Sequence, residues 1–121
     1  MFTEAFPILT VPDLPATVAF YRDLLGFRPA YQFPPDGEPQ FVTLRLATGE
    51  LGLAAGDAGP ATAYTLCVYA DDCDAAVETL RAAGTTIVEE PADMPWGERT
   101  ARVTDPAGNG ILIVAKLEPE L

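Results

Sequence analysis

The side chains that could do chemistry in this chain are defined first by what is missing. There is no histidine and no serine, which removes the usual general base near neutral pH, the commonest transition-metal ligand, and any Ser-His-Asp or Cys-His arrangement. Proton transfer would fall to carboxylates. Two adjacent pairs, Asp71 with Asp72 and Glu89 with Glu90, are the candidates. Neighbours on a strand point to opposite faces, however, so Glu89 and Glu90 cannot converge on one substrate. The glycines of "DPAGNG" imitate a phosphate loop, but no helix start follows them and they read as a hairpin turn. Cys73 opens a helix whose dipole would lower its thiol pKa, yet Asp71, Asp72 and Asp74 beside it press the other way. No residue is assigned a catalytic role.

Binding chemistry is better represented. Arg45 and Arg99 are isolated cations on expected strands. Turned inward, either would hold a ligand carboxylate by two parallel hydrogen bonds; turned outward, it would pair with an acid or face water. Trp96, the only tryptophan, sits in a loop, where it either folds over a hydrophobic edge or serves as a stacking platform for a planar ligand. Tyr31, Phe33 and Phe41 flank the proline-rich turn "PPDGEP" and divide between core and pocket in the same way.

Composition bounds what these groups can serve. A chain of 121 residues fits one domain and can bury roughly two thirds of its unfolded surface. Hydrophobic residues at 49% against 21% charged exclude wholesale disorder. No apolar run approaches the roughly 20 residues that span a bilayer, and "MFTEAF" lacks the pattern of a secretory leader. A cytoplasmic protein without membrane association is expected, its two cysteines, Cys67 and Cys73, reduced. The formal net charge of −11, with acids spread along the chain, repels phosphate backbones and attracts cations. Nucleic acid is excluded as a partner, and a cationic small molecule would be drawn in.

The elements that position these residues come twice. Residues 4–12 suggest a strand; "DLPATVAFYRDLLGF" follows as a helix capped by Asp13 and ended by Gly26; "RPAYQF", "QFVTLRLA" and "LGLAAG" are three strands. After "DAGPAT", residues 63–70 form a strand and "DDCDAAVETLRAAG" a helix with Ala76, Val77, Leu80 and Ala83 on one side. "TTIVEE" is then a strand, "PADMPWGE" a loop and "RTARVTDPAGNGILIVAK" a hairpin. The caps Asp13 and Asp72 are 59 residues apart, and so are Gly49 and Gly108. This gives an α+β fold of two βαβββ modules, 1–56 and 63–121, joined by a linker at 57–62. Each module has one sheet face under its helix and one free, and two modules side by side would curl their free faces around a common concavity.

The segments "ILTVPDLPATVAFYRDLLGF" and "PWGERTARVTDPAGNGILIV" resemble the signature segments of the glyoxalase / bleomycin-resistance protein / extradiol dioxygenase superfamily, the vicinal oxygen chelate proteins. The resemblance implies a curved mixed sheet around a cleft. In the enzyme branches it implies a divalent metal held by His, Glu or Gln on the concave face of strands one, four, five and eight. The first of those positions is here Phe6, its repeat mate is Thr65, the last-strand position is Leu112, and the fourth-strand position is Gly52, or Leu53 if the register slips by one. Zinc, iron or manganese needs three or four deprotonated N, O or S ligands, so no metal and no other cofactor is expected. The matching branch is then the bleomycin-resistance-like group, which implies a homodimer holding its ligand in aromatic-lined crevices.

Strand alternation puts Phe6, Ile8 and Thr10 on the concave side with Thr65, Cys67, Tyr69, Gly110, Leu112 and Val114. Leu66, Val68, Ile111 and Ile113 then face the helices. The expected ligand set is Phe6, Tyr31, Phe33, Phe41 and Arg45 from the first module, with Thr65, Tyr69, Trp96, Arg99 and Leu112 from the second. Three functions fit this set. The first is a metal-free binding protein sequestering an organic, antibiotic-like molecule. The second is a lyase, isomerase or dioxygenase-like enzyme with non-standard catalytic residues, and the third is a regulatory module whose partner fills the groove.

Overall fold

The computed structural model describes residues 1, 3–57, 59–60 and 64–117. The chain divides into two compact units, Met1–Pro60 and Ala61–Leu121. The expected linker, 57–62, falls partly on residues outside those described, as do position 63 of the strand after it and positions 118–121 of the second module.

In the first unit, strand β1 (Ile8–Val11) hands over to helix α1 (Leu14–Ala19) through Asp13. Asp13 Oδ1 accepts from the Ala16 N–H at 3.1 Å, and Thr17 Oγ1 donates to the Asp13 carbonyl at 2.8 Å. The cap satisfies one orphan N–H of the helix start, and the Thr17 hydroxyl adds a second donor to a carbonyl that already accepts the Thr17 N–H. The helix expected to run regularly to Gly26 instead widens into a π-turn over Phe20–Leu24. Adjacent Phe20 and Tyr21 are both buried there, and Tyr21 meets Phe20 and Phe27 edge to face at centroid distances of 5.2 and 5.6 Å. Gly26, at φ +83°, then reverses the chain.

Strands β2 (Arg28–Phe33), β3 (Phe41–Leu46) and β4 (Gly49–Ala55) complete a sheet of order β1-β4-β3-β2, in which only β1 and β4 run parallel. Leu9, Val11, Val42, Leu44, Leu51 and Leu53 are buried on one face with Leu14 of α1. Each such side chain is worth about 2 kcal/mol of burial, so this face holds the unit together. The other face is open.

The second unit repeats the plan with β5 (Thr65–Tyr69), α2 (Cys73–Ala82), β6 (Ile87–Met94), β7 (Glu98–Thr104) and β8 (Gly110–Lys116), in sheet order β5-β8-β7-β6. Asp72 Oδ1 caps α2 from the Ala75 N–H at 3.0 Å. The buried stripe of α2 is Cys73, Val77 and Leu80, and Cys73 replaces the expected Ala83, which is exposed. The segment read as a loop from Pro91 is strand as far as Met94. Because β6 is an edge strand with register shifts on either side of Glu89, Pro91 needs no ladder partner. The "DPAGN" turn is tied by Asp105, whose Oδ1 accepts from the N–H groups of Ala107 and Asn109 at 2.9 and 2.8 Å.

The registers refine the repeat. Ile8 pairs with Gly52 and Cys67 pairs with Leu112. The first strands are therefore 59 residues apart and the last strands 60, one residue having entered between them. Gly52 lies on the open face and Leu53 is fully buried under α1, which decides between the two registers.

Candidate functional site

On the first sheet, the register lines up Tyr31, Thr43, Gly52 and Ile8 in one row of the open face and Phe33, Phe41, Ala54 and Thr10 in the next. Gly52 is the centre of this face. A Cβ there would stand 3.0 Å from Ile8 Cγ1, 3.2 Å from Phe6 Cε2 and 3.3 Å from Phe41 Cε1. The room a side chain would need is already taken by hydrocarbon. Phe41 also lies 6.2 Å from the Tyr31 ring, and Ile8, Tyr31 and Phe33 are each more than half exposed. Where this face meets the sheet end, Arg45 Nε donates to Glu50 Oε1 at 2.8 Å beside a recess of about 440 Å³ that Phe6 also lines.

The open face of the second sheet is organised by Glu98. Its Oε2 accepts from the Tyr69 hydroxyl at 2.8 Å, and its Oε1 accepts from Trp96 Nε1 at 2.9 Å. The hydrogen bond to Glu98, and then its charge, push the Tyr69 phenol pKa up. Trp96 is 65% exposed, and Lys116 Nζ stands 5.6 Å from the Tyr69 ring centroid. Thr65 and Cys67 share this face with Tyr69, and half-buried Leu112 pairs with Cys67. Burial and then the Glu98 charge raise the Cys67 thiol pKa, which keeps it protonated.

Glu98 was not among the residues singled out in the sequence. The signal for it was parity: Gly110 pairs with Thr104, so Arg102, Thr100 and Glu98 follow on the open face. The same count corrects Arg99, which falls on the helix side. Its Nε and Nη2 donate to Asp74 of α2 at 2.8 and 3.0 Å, and its Nη1 donates to Asp93 of β6 at 2.9 Å. That guanidinium ties a helix to a hairpin, and its hydrogen bonds hold the Asp74 carboxyl below the usual range.

Cys73 is buried, with its thiol pKa raised first by that burial. Glu89 pairs with Arg102 at 3.5 Å, whereas Glu90 pairs with Arg81 of α2, so the two carboxylates do face opposite ways.

A divalent metal does not fit the residues at the superfamily's usual positions. Phe6 and Gly52 bring no donor, and hydrocarbon fills the space above Gly52. In the second unit Thr65 brings only a neutral hydroxyl and Leu112 brings nothing. Among the described residues, no three of His, Cys, Asp and Glu are grouped to hold a metal ion. No helix among them is long and apolar enough to cross a membrane.

The doubled strand order, the capped helices and the two open faces agree with the comparisons. The chain belongs to the Glyoxalase/Bleomycin resistance protein/Dioxygenase superfamily, whose family model matches residues 5–113. It is similar to a superfamily member from Sphaerobacter thermophilus, with 25% identity, a TM-score of 0.70, and 94% of this chain and 98% of that one covered. TioX from Micromonospora sp. ML1 is 24% identical with a TM-score of 0.75, over 94% of this chain and 100% of that one. A lactoylglutathione lyase from Agrobacterium tumefaciens is 24% identical with a TM-score of 0.72, over 95% of each chain. The last two likenesses are of fold. No curated protein matches the sequence.

Proposed function

We propose that this protein binds an organic small molecule on its aromatic open faces, without a metal at the superfamily's usual positions, and sequesters it rather than converting it. The observation that carries the reading is the meeting of Phe6, Ile8 and Phe41 over Gly52. Hydrocarbon there favours the flat, apolar body of a ligand, and Tyr31 and Phe33 extend the same surface. The bleomycin-resistance-like members of the superfamily are the natural group for such a protein. A homodimer belongs to the proposal; the sign of the ligand's charge is set by the side chains that line the face rather than by the net charge of −11.

The test is a thermal-shift and Trp96 fluorescence screen of cationic antibiotics and planar metabolites, run in EDTA and again with zinc, nickel or manganese. A ligand at a hundred times its dissociation constant stabilises by about 2.7 kcal/mol, and that shift is expected to be the same with and without metal. Tight stoichiometric metal in the purified protein, or a shift that needs metal, would reverse the reading. Turnover that survives chelation and is lost in Glu98→Gln would replace sequestration by catalysis. Sedimentation reads the dimer directly.

A further inference from the structure

Resting on the reading that the open face of the first sheet takes a small molecule, we infer that Arg28 and Arg45 form an anion clamp there and that the ligand is a planar aromatic carboxylate. Seven basic residues stand among 18 acidic ones in this chain. Arg22, Arg45, Arg81, Arg99 and Arg102 are each ion-paired, and Lys116 lies over the Tyr69 ring. Among the described residues, Arg28 alone of these cations has neither a carboxylate nor a ring partner. It is also set directly opposite Arg45 across the β2–β3 ladder.

Like charges directly opposite in an antiparallel pair destabilise the sheet, with Cβ atoms only about 5 Å apart. With acids in such excess, an anion shared by the two guanidinium groups would turn that repulsion into binding. Glu50 occupies Arg45 Nε only, leaving the Nη edge of a side chain that is 62% exposed. One carboxylate therefore stands against two arginines.

The neighbouring rows supply the rest of the site. Along a strand, residues on one face repeat about every 7 Å. A carboxylate held at Arg28 and Arg45 would thus lay a fused ring system over Tyr31 and Thr43 and on to Phe33 and Phe41, the rows that follow in register. The acidic charge of the whole chain does not forbid this. At 0.1 M salt the Debye length is about 10 Å, so distant carboxylates are screened and the two adjacent guanidinium groups dominate.

The experiment measures, by NMR titration in EDTA at 0.1 M salt, the binding of 2-naphthoate, 2-naphthalenemethanol and 2-naphthylmethylamine, following the Tyr31 and Phe41 ring resonances. Naphthoate is expected to bind about tenfold more tightly than the alcohol. Arg28→Gln and Arg45→Gln should each remove most of that preference, weakening naphthoate far more than the alcohol, and Glu50→Gln should increase it. Both arginines are exposed, and unchanged circular dichroism would confirm that the variants fold. If the alcohol or the amine binds as well as naphthoate, or the preference survives Arg28→Gln, the clamp is wrong while binding at this face stands. If none of the three perturbs the Tyr31 and Phe41 rings, the clamp and the proposed binding face fall together.

Discussion

At the centre of the first open face stands Gly52, with Phe6, Ile8 and Phe41 leaning over it. On the second, the register-equivalent Leu112 pairs with Cys67, and further along the same face Glu98 holds Tyr69 and Trp96 by their hydrogens. One face is shaped by hydrocarbon contact and the other by a carboxylate with two neutral donors. The strand order, parallel pair and aspartate helix cap behind them are the same in both units. Burial under the helices, at about 2 kcal/mol per large side chain, fixes that shared frame. The open faces contribute less to folding and are the places where the two halves differ in chemistry.

The largest effect should come from filling the first face. Gly52→Leu must push aside Phe6, Ile8 and Phe41, and overpacking of this kind costs about 1–3 kcal/mol. A lower denaturant midpoint together with loss of planar-ligand binding is expected; unchanged binding would mean that the face is not the site. Substitution of Leu112 by Ala on the second face should leave binding to the first unaltered.

The shared frame is probed next. Asp13→Ala and Asp72→Ala each remove a side-chain cap and should each destabilise by about 1 kcal/mol in urea unfolding. Clearly unequal losses would show that the two helices do not carry equal parts. Arg28→Gln should instead raise stability by a few tenths of a kcal/mol, because it removes a like charge from the position opposite Arg45. A loss of stability would mean that Arg28 has a favourable partner.

The smallest effect is spectroscopic and belongs to the second face. The Tyr69 pKa is raised by its bond to Glu98. The stabilisation that bond brings is complete below the ordinary phenol value near 10 and is lost as pH rises through the raised value. The difference in tyrosinate absorbance between the protein and Tyr69→Phe should therefore titrate above pH 10. In Glu98→Gln it should move down; an unmoved titration would dissolve the polar cluster.

Much of this was legible in the sequence, because caps, helix-ending glycines and alternation are local signals. Phe6, Ile8 and Thr10 could be placed on one face by parity alone. What escaped needed partners far along the chain. Tyr69 and Glu98 are 29 residues apart, and nothing near either announces the other. Arg99 was undecided until the hairpin register put it beside Asp74 and Asp93. Pro91 looked like a strand breaker because its edge position and the adjoining register shift come from the sheet rather than from its neighbours. The π-turn at Phe20 satisfies two consecutive aromatics at once, which regular helical spacing does not foresee.

The crowding over Gly52 also bears on descent. A carboxylate introduced at that position by a single mutation would arrive in a socket of Phe6, Ile8 and Phe41 with no room to settle. A metal ligand at this position would therefore require its apolar neighbours to be exchanged along with Gly52.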